Sequence, residues 1–391
     1  MNSLIKVGLV GARFAAQFHL HAYGKVHSIP VKVVGVTSKS KESGSVFASA
    51  NRLQQFDSIE DLLRKVDVVD ICAPGYVHES VALQALRAGK HVIVEKPFTG
   101  YFGPRDGNFR GSDFSKQKML DEAMASADRI KETALKVGKQ VMYAENWVYA
   151  PSIQKECEIV RASRSQILWM IGGESHSGSH SPSYGIWAQA GGGSIVGKGC
   201  HPLTAALYLK QEEGKVAGGE SIRPRTVSAR VHELTRIQGF RDLKFLRTDY
   251  HDVEDYGQLH VVFDDGSVAD IFSTEVVMGG VHNWLEVFAN NHRSRCNINP
   301  IDAVSTYNPK EAQLQDVYVV EKIGTKQGWN HPAPDEDWMS GYPQEIQDFM
   351  ECVAYDREPK CGALLAVDTV AVMYAAYLSA ERHGTEVEVP R

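Results

Sequence analysis

Near its start the chain reads Ile5-Lys-Val-Gly8-Leu-Val-Gly11-Ala12-Arg13-Phe14-Ala15-Ala16. Residues 5–10 are typical of a buried strand, and residues 12–23 have the pattern of a helix that is entered through Gly11. Such a turn presents backbone N–H groups at a helix N-terminus, where phosphates bind. The segment predicts a dinucleotide-binding turn, although Arg13 replaces the second glycine of the G-x-G-x-x-G/A pattern. A plain strand–helix turn is the alternative.

The same alternation of strands and helices continues through the first 148 residues. The predicted apolar strands cover residues 5–10, 31–37, 68–73, 91–95 and 140–145. This order is typical of a doubly wound parallel sheet in an α/β fold, so we expect a dinucleotide-binding domain over residues 1–148.

The second half has a different pattern, in which most strands follow one another directly. The predicted strands cover residues 167–171, 226–233, 258–263, 267–274 and 281–289. Asp264-Asp265-Gly266 is a hairpin signal between two of them. We expect an α+β substrate domain over residues 149–391 with a mostly antiparallel sheet, and a C-terminal helix that packs back on the first domain.

Composition excludes several classes of protein. The chain has 391 residues, 43% of them hydrophobic, and a formal net charge of -6, which argues against nucleic acid or an anionic membrane surface as partner. No signal peptide is evident, every long apolar run is interrupted by Gly, Lys or Asp, and the six cysteines are widely spaced. We therefore expect a cytoplasmic enzyme with reduced thiols and no structural metal.

A lysine follows the predicted strand over residues 91–95, in the triplet Glu95-Lys96-Pro97. Ligands of open α/β sheets bind at the carboxyl ends of the strands, so Lys96 is predicted to lie beside the cofactor. Burial beside a positively charged nicotinamide ring is expected to lower the pKa of Lys96 and to let it exchange a proton near neutrality. The alternative is a surface lysine that pairs with Glu95.

Cofactor preference is read at the end of the second strand, where an acid would repel a 2'-phosphate. This strand ends in Val36-Thr37-Ser38-Lys39-Ser40, without an acid. The hydroxyls, Lys39 and Arg13 suit a phosphate, so the sequence modestly favours NADP over NAD as the NAD(P) cofactor.

Together these segments resemble the Gfo/Idh/MocA family, which is named after glucose-fructose oxidoreductase, inositol dehydrogenase and rhizopine catabolism. The resemblance runs through most of the chain in order and spacing. Besides the glycine turn, it is carried by Ala73-Pro74-Gly75-Tyr76-Val77-His78, Gly89-Lys90-His91-Val92-Ile93-Val94-Glu95-Lys96-Pro97, Gly191-Gly192-Gly193 with Gly199-Cys200-His201, Gly341-Tyr342 with Glu345 and Phe349, and residues 383–390.

The resemblance implies a Rossmann domain and a second domain with a large open sheet, whose exposed face would form a homodimer or homotetramer. It implies that Lys96 and His201 transfer protons while a hydride moves between substrate and cofactor. It also implies that Glu95 orients Lys96, and that Pro74 and His78 line the nicotinamide side; a turn and a helix start explain those two equally well. The expected cofactor-binding residues are Gly8, Gly11, Ala12, Arg13, Phe14, Ala15, Ser38, Lys39, Ala73, Pro74, His78, Glu95 and Lys96.

One position departs from the family pattern. Many family dehydrogenases have an Asp four residues before the histidine, where this chain has Gly197, followed by Lys198. Either another group replaces that carboxylate or the reaction differs from simple alcohol oxidation. Some relatives are redox-neutral glycosidases that use NAD transiently to oxidise C3, eliminate the C1 substituent, add water and reduce the ketone.

Hydroxyls, imidazoles and aromatic rings are dense in residues 174–187, a composition that suits a carbohydrate. A polar surface loop is the alternative. The expected substrate-binding residues are Tyr149, His176, His180, Tyr184, Trp187, Lys198 and His201. His176 and His180 have metal-like spacing, but without a third ligand nearby we expect no metal.

Five cations or imidazoles would favour an anionic sugar, such as a sulfosugar, if they converge. They are Arg105, Arg110, Lys198, His176 and His180. Residues 328–338 are a further candidate rim without a predicted position.

The sequence therefore predicts an NAD(P)-dependent oxidoreductase that acts on a ring secondary alcohol of a sugar or cyclitol. The alternatives are a redox-neutral glycosidase and, from another class, a ligand-binding regulator without turnover.

Overall fold

A computed structural model describes residues 3–104, 109–179, 181–299 and 304–391. The first half forms a six-stranded parallel sheet in the spatial order β3-β2-β1-β4-β5-β6. Its strands are β1 (Ile5–Val10), β2 (Val31–Thr37), β3 (Gln54–Gln55), β4 (Val68–Ile71), β5 (His91–Glu95) and β6 (Val141–Ala144). Its helices are α1 (Phe14–Tyr23), α2 (Lys41–Asn51), α3 (Ile59–Leu63), α4 (His78–Arg87) and α5 (Lys116–Val137).

The central strands are buried on both faces. Every residue of β4 and β6 is buried, because helices cover both sides of the sheet. Such strands read as continuous apolar runs, which is why the sequence predicts them. The predicted doubly wound parallel sheet is confirmed.

The second half forms a seven-stranded sheet in the order β12-β11-β7-β10-β9-β8-β15, and all its pairs except β7 with β10 are antiparallel. Its strands are β7 (Ile167–Ser175), β8 (Pro224–His232), β9 (Tyr256–Phe263), β10 (Val268–Thr274), β11 (His282–Ala289), β12 (Arg293–Asn297) and β15 (Val387–Glu388). Two further strands, β13 (Thr306–Asn308) and β14 (Gly328–Asn330), pair only with each other. The helices are α6 (Pro151–Ser163), α7 (Trp187–Ala190), α8 (Cys200–Ala217), α9 (Glu336–Ser340), α10 (Tyr342–Tyr355) and α11 (Ala363–Glu381). The predicted mostly antiparallel second sheet is confirmed.

Helix α6 was not predicted from the sequence. Pro151 is the first residue of this helix. Proline suits that position because its N–H would have no partner in the first turn.

Helix α11 is long and apolar enough to cross a membrane by length and composition, in contrast to the expectation that its Asp interrupts the run. Yet 83% of its apolar window is buried within the protein. It packs against α5 of the first domain and against α8 and β8 of the second. Asp368 in its middle pairs with Arg223, 2.5 Å away. The described structure thus accounts for its apolar surface as core.

Candidate functional site

The glycine turn has the geometry of a phosphate cradle. Gly11 has a φ of +111°, and a Cβ there would lie 2.6 Å from the Cys72 carbonyl oxygen, so no side chain fits. Its N–H donates to the Thr37 carbonyl oxygen at 2.9 Å, which ties the turn to the end of β2. Helix α1 then begins after Arg13 without a side-chain cap, so its first N–H groups are open to a ligand. These features fit the pyrophosphate of a dinucleotide.

The predicted cofactor residues divide into two sets. Arg13, Phe14 and Lys39 are exposed around the helix start and the end of β2, where a nucleotide would pass; Ala12, Ala15, Ser38 and Ala73 are half-buried in the same region. Gly8 differs, because it is buried in β1 and a Cβ there would lie 2.6 Å from Leu62 Cδ1. The prediction of a cofactor contact is wrong for Gly8, whose missing side chain makes room for α3.

His78 fastens two loops together and does not face an open site. The side chain is fully buried, and its ring nitrogens lie 2.8 Å from the carbonyl oxygens of Pro97 and Ala73. Burial lowers its pKa. The predicted direct contact with the cofactor is therefore replaced by a role in holding the ends of β4 and β5, while Pro74 is exposed beside it.

Lys96 lies at the end of β5 and points toward the second domain. Its Nζ donates to the Gly197 carbonyl oxygen at 2.9 Å and lies 5.6 Å from the Tyr184 ring centroid. Glu95 does not contact this amine: Oε2 accepts the Lys96 backbone N–H at 2.7 Å, and Oε1 lies 3.2 Å from His19 Nε2. Glu95 was predicted to orient Lys96, and the structure shows that it holds the Lys96 backbone and not the amine.

The electrostatic surroundings of Lys96 oppose the predicted lowering of its pKa. Burial lowers the pKa, but Tyr184, Cys200, Glu174 and Glu95 outweigh burial and hold it well above its usual value. In the protein alone the amine is therefore charged, and it acts as a hydrogen-bond donor.

His201 is oriented by a carboxylate that the sequence did not single out. Its Nδ1–H donates to Glu145, which follows β6 and is fully buried. Trp147 lies parallel to the imidazole with ring centroids 5.9 Å apart. An ionised carboxylate can only accept, so the Nδ1 proton is fixed and the Nε2 lone pair is left available. Glu145 thus places a carboxylate beside His201, where the sequence has none at Gly197.

A second carboxylate lies on the other side of the imidazole. Glu174, near the end of β7, has Oε2 3.8 Å from His201 Nε2, and this oxygen is buried without a hydrogen bond. Burial raises the pKa of Glu174, against the opposing effects of His201, Lys198 and Lys96. Both acids stand at or near strand ends, the one signal by which the sequence marks them.

The segment before His201 is anchored by Glu254. This fully buried carboxyl accepts the Ile195 N–H at 2.9 Å, the Gly193 N–H at 3.2 Å and the Tyr377 hydroxyl at 2.8 Å. Burial raises the pKa of Glu254 to about 7. The turn of π-helix Ile195–Gly199 that follows leads directly into α8. Glu254 was missed because it lies in a loop far along the chain.

Lys198 and His176 pair with each other instead of facing a ligand. Lys198 Nζ lies 2.6 Å from His176 Nε2 and 3.2 Å from Glu275 Oε1, and it is 2% exposed. A buried cation that already has an acid partner is a poor anion site. The predicted substrate contacts are corrected to a role in holding the loop after β7. His180, predicted beside them, lies outside the described residues.

Two predicted substrate aromatics belong to the core. The Tyr149 hydroxyl donates to Asp348 Oδ2 at 2.9 Å, and the side chain is fully buried. Trp187 is 2% exposed and donates to the Tyr101 carbonyl oxygen at 3.0 Å. Both predictions of substrate contact are wrong, because these large rings fill space between elements. Tyr184, by contrast, is half-buried beside Lys96.

The cationic convergence predicted for an anionic sugar is not formed by the residues that can be placed. Arg110 is exposed, with its Nε 3.8 Å from Asp113 Oδ2, and Lys198 is committed to Glu275. Arg105 lies outside the described residues.

A cavity of about 640 Å³ opens between α1 and the second domain. His201, Glu174 and Trp147 line one wall, and Phe14 and Phe18 of α1 line another. Lys96 does not line this cavity. Glu174 acts on both predicted catalytic residues: its Oε2 lies 3.8 Å from His201 Nε2, and its charge raises the pKa of Lys96.

Three side chains of the site could in principle hold a metal. Ligand atoms of Glu145, Cys200 and His201 lie within 4.8 Å of one another. Burial raises the pKa of the Cys200 thiol well above its usual value, which keeps it protonated and unsuited to a metal. Glu145 and His201 are moreover bonded to each other.

Residues 5–104 match the sequence profile described as "Oxidoreductase family, NAD-binding Rossmann fold". A UDP-N-acetylglucosamine 3-dehydrogenase from Acidithiobacillus ferrooxidans is 33% identical over 24% of this chain and 29% of its own length. A D-glucoside 3-dehydrogenase from Escherichia coli is 24% identical over 53% of this chain and 54% of its own. The chain thus matches only part of each of these two curated relatives.

Solved structures of similar fold cover the whole chain. GenD2 from gentamicin A biosynthesis, in complex with NAD, has a TM-score of 0.78 at 22% identity and covers 100% of this chain and 97% of its own. Scyllo-inositol dehydrogenase from Lactobacillus casei, with bound NAD(H) and scyllo-inositol, has a TM-score of 0.73 at 15% identity and covers 99% of each chain. At these identities the likeness establishes the fold.

Proposed function

Since the chain belongs to the Gfo/Idh/MocA family of oxidoreductases, with an NAD-binding Rossmann fold, we propose that it oxidises and reduces a ring secondary alcohol. The substrate class is a sugar, sugar derivative or cyclitol. The observation that carries the proposal is His201, which lines the cavity with Nδ1 held by buried Glu145 and Nε2 free to take a proton. The named relatives that act on sugars and inositols support it.

The residues divide the chemistry between them. A bound nicotinamide cofactor supplies the hydride acceptor. His201 Nε2 takes the hydroxyl proton as a general base, and Glu145 stabilises the imidazolium that results. Lys96 keeps its proton and donates to the Gly197 carbonyl oxygen at 2.9 Å, outside the lining of the cavity; a hydrogen bond from this amine to the substrate oxygen would stabilise negative charge there. The products of the forward reaction are the ketone, the reduced cofactor and one proton.

We also propose NADP as the modestly preferred cofactor. Ser38 and exposed Lys39 follow β2, and Arg13 is exposed at the start of α1. A titration that shows tighter binding of NAD than of NADP would overturn this preference.

A redox-neutral glycosidase is the second candidate. It is favoured by Glu174, a buried carboxyl with a raised pKa that stands 3.8 Å from His201 Nε2 and could protonate a leaving group. Against it, Glu145 supplies a carboxylate beside His201, so the absence of an Asp at position 197 no longer argues for a reaction other than alcohol oxidation.

The test follows nicotinamide absorbance and released aglycone together, with a panel of sugars and aryl glycosides. Growth of absorbance without aglycone supports the oxidoreductase, and aglycone release at constant absorbance supports the glycosidase. If neither the nicotinamide absorbance nor the aglycone concentration changes, but a ligand raises the melting temperature, the result favours a ligand-binding regulator. Lys96→Met should abolish turnover and leave cofactor binding in place. Lys136→Met, on the exposed side of α5, is the matched control.

We further propose that the open sheet face joins copies of the chain into a homodimer or homotetramer. Trp169 of β7, which is 36% exposed, stacks on Phe288 of β11 with centroids 4.5 Å apart. Light scattering of the purified protein tests this, and a monomer at micromolar concentration would contradict it.

A further inference from the structure

The wall of the cavity is acidic. Five carboxylates line it: Glu174, Glu321, Asp335, Glu336 and Asp337. Among the residues that line it in the described structure there is no lysine and no arginine. Four of the five acids lie in the segment between β13 and α10, which the sequence left without a position, and they face the same space as His201.

Neutral donors hold much of this wall. Glu336 accepts a hydrogen bond from Asn299 Nδ2 at 3.2 Å and one from the Tyr318 hydroxyl. Asp335 caps α9 by accepting the Trp338 N–H at 3.0 Å, and its other oxygen lies 3.5 Å from the partly exposed Lys25 amine. Lys25 therefore offsets part of the charge of Asp335, whereas Glu336 is held by an amide and a phenol, which do not neutralise a carboxylate and leave negative potential in the cavity.

Burial and repulsion between neighbouring carboxylates raise the pKa of two acids of this wall. Burial raises the pKa of Glu336, and Glu321 adds to the rise against the Tyr318 hydroxyl. Burial also raises the pKa of Asp337; Lys25 and His21 oppose this rise, and Asp335 adds to it. A cation placed between them would relieve both costs.

A second, independent feature points to a ligand in the same space. His201 is 5% exposed and lines the cavity, yet its Nε2 makes no hydrogen bond to any residue within the described ranges. Glu174 Oε2, beside it, is equally without a hydrogen-bond donor. A buried polar atom that lacks a hydrogen-bond partner, such as Glu174 Oε2, costs free energy, which a polar ligand would recover.

We propose that the substrate is a polyol that carries a protonated primary amine, such as an amino sugar or an aminocyclitol. The ammonium group lies against Glu336 and Asp337, and the hydroxyl to be oxidised lies at His201. The second half of this placement rests on the proposed function. The amine keeps its proton and forms no covalent bond. The acidic wall repels sulfonate, phosphate and carboxylate, so the anionic sugar favoured by the sequence is disfavoured by the cavity.

Calorimetric titration of the protein saturated with reduced cofactor tests the charge preference. Glucosamine, N-acetylglucosamine, glucose and glucuronate have similar rings and differ in charge. Glucosamine should bind at least about tenfold more tightly than glucose, equivalent to about 1.4 kcal/mol. N-acetylglucosamine should lose this advantage, and glucuronate should bind most weakly. Raising the salt concentration should narrow the difference, because screening weakens charge attraction.

Variants locate the effect. Glu336→Gln keeps the shape and the acceptor for Asn299 but removes the charge, so it should weaken glucosamine about tenfold and glucose less than about twofold. Glu158→Gln, on the exposed face of α6, is the matched control and should change neither. Thermal melts confirm that each variant is folded.

The outcomes separate the two proposals. Turnover of neutral sugars without an amine preference overturns the amine proposal and leaves the oxidoreductase intact. Amine-selective binding that Glu336→Gln abolishes, without turnover of any ligand, supports the amine proposal and contradicts the catalytic one. Equal binding of glucosamine and glucose, or a preference unchanged in Glu336→Gln, overturns the amine proposal. Calcium binding to the wall in the absence of sugar, lost in the same variant, also overturns it.

Discussion

Replacing Glu145 by glutamine is expected to lower kcat by about a thousandfold. The Glu145 side chain is fully buried and accepts the Nδ1–H of His201, whose imidazole becomes positively charged when Nε2 takes a proton. For two unit charges about 4 Å apart in an effective dielectric of about 20, the attraction is about 4 kcal/mol. At about 1.4 kcal/mol per tenfold change, its loss slows the reaction by about three powers of ten.

The amide adds a second effect. Glutamine can donate to Nδ1 as well as accept, which allows the imidazole to place its proton on Nε2, where it can no longer act as a base. The cofactor dissociation constant should stay within about twofold, because the glycine turn is untouched. Steady-state kinetics with saturating cofactor, together with a fluorescence titration of reduced cofactor, measure both quantities.

The chain offers a closely matched control. Glu156, 1% exposed in α6, pairs with His292 Nε2 at 2.8 Å outside the cavity. Glu156→Gln should reduce thermal stability and leave kcat unchanged. If Glu145→Gln retains kcat within about threefold of the wild type on any substrate that the wild type turns over, the charge of Glu145 takes no part in the reaction.

Three further predictions follow from other parts of the molecule. Gly11→Ala should abolish cofactor binding in a fluorescence titration, because its Cβ would lie 2.6 Å from the Cys72 carbonyl oxygen, and normal binding would refute the cradle. Gly138→Ala, at a φ of +63° with open space around it, is the control and should lose only about 1 kcal/mol of stability and bind normally. The folded-state pKa of Glu254, about 7, lies above the usual 4.5, so the native state binds more protons than the unfolded state in this range, and wild-type stability should fall by about 3 kcal/mol as pH rises from about 4.5 to 7. Urea melts should show that Glu254→Gln lacks this loss. If the stability of the variant and of the wild type changes in parallel with pH, the raised pKa of Glu254 is contradicted. Lys39→Glu should raise the dissociation constant of NADP at least about tenfold relative to that of NAD, and an unchanged ratio would exclude Lys39 from recognition of the 2'-phosphate.

The fold was predictable where local sequence determines structure. Buried parallel strands such as β4 and β5 read as apolar runs, and Gly11 is needed by a backbone approach that any side chain would block. Lys96 and His201 were found through the resemblance to a family; His201 lines the cavity, whereas Lys96 does not. Tyr149 and Trp187 were misassigned because composition cannot tell an aromatic ring in the core from one in a cleft.

The partners of the candidate catalytic residues were not predictable, because they come from distant parts of the chain. Glu145 belongs to the first domain and reaches a histidine 56 residues later. The acidic wall around Glu336 depends on how residues 304–340 fold over the cavity, and this segment has little regular structure from which to predict its position.

The Tyr374 hydroxyl, on α11, joins the two halves of the molecule at the cleft. It accepts the Tyr101 N–H at 2.7 Å and donates to the Gly191 carbonyl oxygen at 2.7 Å. Just before α11, the Tyr143 N–H of β6 donates to the Cys361 carbonyl oxygen at 2.9 Å. A helix shared in this way makes hinge bending between the halves costly. Calorimetry should record one melting transition, and a fragment cut after residue 148 would expose the face of α5 that α11 covers and would aggregate.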